Sequence, residues 1–207
     1  MTTDIIGKVI EDFCTEFVNF PYLCYTEHGL HARFYCLLYN ALPTNQRYIE
    51  WEGKKICVIQ KEYRTATNLG KSKRQNWDIA ILQHLQEQHG DKNYAYDYLS
   101  LNSVVEFGLN AGENHLIDDV KRLCHSESNV KNKFIVHLYR ISGPGRKRIS
   151  HRDVSTNSKK LLKRERVQEL IQNNDVKVYF GLFDSTRQYQ SGVWRLDKKI
   201  TALQVAR

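Results

Sequence analysis

Lys55–Tyr63 (KICVIQKEY), Trp77–Leu82 (WDIAIL) and Ser103–Leu109 (SVVEFGL) decide the fold. Each is a short run dominated by β-branched, aromatic or other apolar residues and bounded by polar sequence, so each reads as a strand. Residues 64–75 between the first two are polar, contain Gly70 and read as a hairpin loop; the polar stretch 83–98 separates the second from the third. Downstream, Leu116–Cys124 (LIDDVKRLC) predicts a helix and Lys133–Ile141 (KFIVHLYRI) a fourth strand. Upstream, Ile5, Val9, Phe13 and Phe17 recur every four residues and predict a helix over 4–18, broken near Pro21. Thr26 has the chemistry of an N-cap for a helix from about Glu27 to Leu42. Its apolar face is Leu30, Phe34, Leu37, Leu38 and Leu42, and Pro43 stops it. After the turn Gly143-Pro144-Gly145 come a basic helix, about Ser158–Asn173, and strands at Val176–Phe183 and Gly192–Leu196 around a Ser185–Ser191 loop. This order predicts a mixed α/β layer fold, a central mixed sheet flanked by helices rather than a doubly wound one.

The 207 residues, 41% hydrophobic, suit one good core and make two full domains a squeeze. A single domain over 1–207 with a basic extension from about residue 143 is therefore expected. Its longest apolar runs, Phe34–Leu38 and Val178–Phe183, fall far short of the roughly 20 residues that span a bilayer. The start, MTTDIIGKVIEDF, does not read as a signal peptide, so a cytoplasmic protein with no membrane partner is expected. The five cysteines are scattered without a CxxC pair, which argues against a structural zinc site and for small buried residues.

Charge is unevenly spread. Tyr139–Arg166 holds ten Lys/Arg against Asp153 and Glu165, a local +8 that equals the formal charge of the chain and leaves the remainder balanced at 21 against 21. A basic stretch on a neutral body is the footprint of a protein that meets phosphate backbones, although charge runs are more often solvated faces. The expected phosphate contacts are Arg146, Lys147, Arg148, Lys159, Lys160, Lys163, Arg164 and Arg166, with Lys71, Lys73 and Arg74 of the hairpin loop as a second set.

Two acids interrupt otherwise apolar strands, Asp78 in WDIAIL and Glu106 in SVVEFGL. Carboxylates are rarely held near a core without a reason. If the two strands pair, both carboxylates reach one side and suit a hard cation such as Mg²⁺. None of the eight histidines shows HxH or HExxH spacing, and they read as surface or packing residues, with His115 the one whose place after Glu106 draws notice.

Over roughly residues 20–141 the chain resembles the PD-(D/E)XK nuclease superfamily. TEHGLHARFYCLLYNAL resembles its first core helix, ICVIQKEY and NWDIAIL its first strand pair, and VVEFGLN its third-strand motif. The resemblance implies a restriction-endonuclease-like core that hydrolyses phosphodiester bonds of nucleic acid, DNA before RNA, with Mg²⁺ or Mn²⁺. Asp78 and Glu106 would be the metal ligands and Glu27 the helix acid directed at a second metal or its waters. A homodimer or a larger complex would suit double-strand cutting. One departure stands out: the motif asks for lysine two residues after the second acid, and the chain has Gly108. Substitute cations are Lys61 and Lys121. Strand alternation predicts Lys61 and Glu62 on opposite faces, so that a site-facing Glu62 would add a third carboxylate and leave Lys121 as the cation. The alternative is an inactive relative, a nucleic-acid-binding or assembly subunit that kept the fold and lost the chemistry.

Overall fold

A computed structural model describes residues 3–83, 99–141, 165–186, 190–197 and 200–205. Seven strands form one sheet in the order β3 (Ile59–Arg64), β4 (Asn76–Leu82), β5 (Leu101–Leu109), β6 (Val130–Ile141), β7 (Val176–Asp184), β8 (Gly192–Leu196), β9 (Ile200–Val205). β3, β4 and β5 run antiparallel in succession; β5, β6 and β7 are parallel; β8 and β9 return antiparallel. The sheet is therefore mixed, as the pattern of elements predicts. β5 and β6 are buried along most of their length, which is why VVEFGL and FIVHLY read as continuous apolar runs rather than alternating ones.

Helices α1 (Thr3–Asn19) and α2 (Glu27–Ala41) cover one part of this sheet. α1 buries Ile6, Val9, Ile10, Phe13, Cys14, Phe17 and Val18 against β7 first, then α2, β8 and β6. Phe13, Phe34 of α2 and Phe107 of β5 meet edge to face with centroids 5.3–5.9 Å apart, fixing both helices on the sheet. Truncating one such ring to alanine would cost about 3–5 kcal/mol. Thr26 does cap α2, its Oγ1 accepting from Gly29 N at 3.1 Å. The parallel step from β5 to β6 is made through α3 (Glu113–Leu123), which buries Leu116, Ile117, Asp119, Val120 and Leu123. α4 (Glu165–Asn173) leads into β7.

KICVIQKEY is not one strand. Its first half is β2 (Lys54–Cys57), paired with β1 (Tyr48–Trp51) in a separate two-stranded sheet, and its second half is β3. Val58 is the joint: its N–H donates to Arg47 O at 3.0 Å, and its carbonyl accepts from Leu82 N at 2.8 Å. Cys14 is buried as expected, but Cys36 is exposed and Cys24, Cys57 and Cys124 are only partly covered. Among the described residues no helix is long and apolar enough to cross a membrane.

Candidate metal centre at the splayed end of β4 and β5

The β4–β5 ladder holds from Leu82 back to Ile79↔Val105 and then opens. Asp78 turns into the gap, where its Oδ2 accepts from Phe107 N at 2.8 Å in place of a backbone carbonyl. Continuing the registers sets Asp78 opposite both Glu106 on β5 and Glu62 on β3, flanked by the pairs Lys61↔Ile79 and Tyr63↔Trp77. Three neighbouring strands thus bring three acids into one row. Glu27, at the start of α2, closes the row from above by accepting from Leu109 N through Oε2 at 2.9 Å.

Glu106 is 1% exposed. Burial, and then the charge of Asp78, raise its proton affinity well above the ordinary carboxylate range. Asp78 is also raised, by burial, with the Phe107 N–H and the Arg122 charge pulling the other way. Arg122 of α3 brings Nη2 to 2.7 Å from Glu106 Oε2 and to 3.0 Å from Asp119 Oδ1. Among the described residues neither Glu106 oxygen has an aligned hydrogen-bond donor, so the Arg122 contact is an ion pair and the carboxylate keeps acceptor capacity.

His31, one turn after Glu27 on α2, is buried, and among the described residues neither ring nitrogen has a hydrogen-bond partner. Its Nε2 lies 3.8 Å from Asp78 Oδ2 and its Nδ1 3.9 Å from Glu62 Oε1. Burial lowers its pKa against the pull of Asp78, which favours the neutral ring.

Two expectations about cations need correction. Lys61 and Glu62 do not diverge: Lys61 Nζ is 3.6 Å from Glu62 Oε1 and 3.5 Å from His28 Nδ1. The reason is that Glu62 leaves the extended conformation, with φ 55°, so simple alternation fails there. Lys121 is exposed on α3, and the cation that reaches Glu106 is its neighbour Arg122. Arg74 donates from Nε to Thr65 O at 2.6 Å, which closes the hairpin loop and leaves its Nη groups for an anion.

Gly108 has a structural cause. A Cβ there would sit 2.7 Å from His137 Nε2 and 2.9 Å from the Ala111 Cβ, so no side chain fits unless its surroundings move. His137, its partner across the parallel β5–β6 ladder, occupies the space that the motif lysine would need.

Lys71 and Lys73 are exposed, and Lys71 with Lys121 lines a cleft of about 400 Å³ that also reaches His115, Asp119 and Arg122. Arg146, Lys147, Arg148, Lys159, Lys160, Lys163 and Arg164 lie outside the described residues, as does the side chain of Arg166. The structure therefore assembles Glu27, Lys61, Glu62, Asp78 and Glu106 at one end of the sheet and adds His31, Asp119, Arg122 and His137, which the sequence reading missed. The available signal was spacing: His31 follows Glu27 by four, and Asp119 and Arg122 follow His115 by four and seven, on single helical faces. No protein-family model, no curated protein and no solved structure matches the chain.

Proposed function

We propose that the chain is a metal-dependent nuclease of the PD-(D/E)XK kind, hydrolysing phosphodiester bonds of nucleic acid, DNA before RNA. The observation that carries this reading is the position of Asp78 opposite Glu106 where β4 and β5 splay, with Asp78 bound to the N–H of the residue after Glu106. Its support is the succession α2–β3–β4–β5–α3–β6, with the acids on the second and third strands of an antiparallel run and a parallel crossover after them. The site's oxygens fit a hard divalent ion, because Glu106 is buried with acceptor capacity that its surroundings leave unused. Asp78 and Glu106 would hold Mg²⁺ or Mn²⁺, with Glu62 the third carboxylate in reach. Such an ion, when bound, supplies electrophilic assistance at the phosphate and a more acidic water.

The chain's own residues do the rest. Phe107 N–H and Arg122 fix the carboxylates of Asp78 and Glu106 in place. Neutral His31 sits between Asp78 and Glu62 as a proton acceptor. Lys61 is the cation at the open side of the row, the position from which negative charge developing on a phosphate is met. Lys71 and Lys73 offer backbone contacts beyond it.

A second reading, a non-catalytic nucleic-acid-binding or assembly subunit, is favoured by the Arg122–Glu106 ion pair and by a Gly108 position closed to lysine. Plasmid and oligonucleotide cleavage in Mg²⁺, Mn²⁺ or chelator separates the two. The enzyme reading expects metal-dependent cutting that Asp78→Ala lowers by at least ~100-fold. Salt-sensitive binding with no cutting by either protein would overturn it in favour of the subunit.

A further inference from the structure

Beside the carboxylate row, and separated from it by Arg122, lies a cluster of different chemistry. His115 and Asp119 stand one turn apart on α3, with His115 Nδ1 2.9 Å from Asp119 Oδ2. His137 rises from β6 beneath them, its Nε2 3.7 Å from the same oxygen. All three ligand atoms lie within 4.8 Å of one another. We infer that His115, Asp119 and His137 form a second cation site, one for a borderline divalent ion, zinc above all, rather than for magnesium.

Unused donor capacity is the first argument. His137 is 0% exposed, yet its Nε2 has no hydrogen-bond partner among the described residues, nor has the buried Asp119 Oδ2 an aligned one. A buried ring nitrogen left without a partner destabilises the fold, and a ligand shared with Asp119 would supply one. Orientation is the second. His137 Nδ1 is 3.2 Å from Tyr139 Oη. A proton on Nδ1 given to that hydroxyl leaves the Nε2 lone pair directed at Asp119, the outer support that metal-binding imidazoles commonly have. Asp119 is held in the same manner: Arg122 takes Oδ1 at 3.0 Å and leaves Oδ2 for the ion.

Space and access are the third. Gly108 makes room for the His137 ring, since any Cβ there would meet Nε2 at 2.7 Å. On the other side, the cleft of about 400 Å³ reaches His115 and Asp119, giving an entry path and room for a fourth ligand. Bonds of 2.0–2.1 Å in tetrahedral geometry put ligand atoms about 3.3 Å apart. The two separations here, 2.9 and 3.7 Å, bracket that value. His115 is half exposed and free to adjust. Two imidazoles and one carboxylate suit zinc, whereas magnesium prefers oxygen alone. A similar group, His28, His31 and Glu62, shares Glu62 with the carboxylate row and belongs to that site.

Metal analysis of the full chain after dialysis, together with cobalt titration followed by visible absorption, tests the site without any cleavage assay. One zinc per chain is expected, replaced by cobalt with the intense absorption of a four-coordinate ion. His115→Ala, on the exposed edge, should fold normally by circular dichroism and weaken zinc at least ~100-fold. Asp78→Ala should leave zinc unchanged. Zinc absent from the wild-type chain, zinc binding indifferent to His115→Ala, or zinc lost through Asp78→Ala would each overturn the assignment. None of these results bears on whether the carboxylate row cuts nucleic acid.

Discussion

Glu106 gives up nearly all of its solvent on folding, and burial with the nearby Asp78 charge raises its pKa well above the 4.5 of a free glutamate. A carboxyl raised in the folded state binds more protons there than in the unfolded chain. Its contribution is therefore fully present below about pH 4.5 and is lost as pH rises through the folded value. Glu106→Gln should melt higher than wild type at pH 8, by about 2–4 °C, the shift that ~1 kcal/mol makes in a chain of this size, and alike at pH 4. Added Mg²⁺ should raise the wild-type melting temperature at pH 8 and leave the variant unmoved, by linkage to binding. Thermal melts at the two pH values, with and without metal, check both. Glu106 and Asp78 were legible because an acid inside an apolar run is conspicuous wherever the strand sits. Arg122 and His31 were not, because a basic residue on a polar helix face and a histidine on an apolar one look ordinary until the helix's rotation is known.

At the scale of elements, the first turns of α2 carry Glu27 and His31, and the helix start is fixed by Thr26. Thr26→Ala removes the bond to Gly29 N and should cost about 0.5–2 kcal/mol. Any Mg²⁺-dependent activity should fall with it more than stability does, since His31 shifts against Asp78 and Glu62. Denaturant titration beside a rate measurement gives the comparison. Caps, prolines and periodicity made α1, α2, α3 and the strands from β3 to β8 readable in outline. The break at Val58 was not readable, since KICVIQKEY contains no glycine or proline and every residue in it accepts a strand conformation. What divides it is tertiary: Arg47 and Leu82 claim the two backbone groups of Val58. The left-handed turn of Glu62 escaped notice for a similar reason, being imposed by its neighbours on a residue with no preference for it.

Across the whole molecule, a formal charge of +8 acts on any polyanion before contact is made. Affinity for duplex DNA should drop by about 10³–10⁵ between 50 and 200 mM salt if six to ten phosphates are engaged. Lys71→Ala should flatten the log–log salt slope by about 0.9 while leaving sequence preference alone, as fluorescence anisotropy across a salt series will show. One long-range pairing has another bearing. Glu11 of α1 meets Arg195 of β8 across 184 positions at 3.4 Å, and the greasy side of α1 rests on strands made late in the chain. During vectorial synthesis that helix emerges early and can meet α2 at once, but its seat on β7 and β8 comes only after those strands have left the ribosome. Part of the apolar face of α1 therefore stays uncovered for most of synthesis, and a nascent chain of this kind is open to unwanted association until its last strands are made.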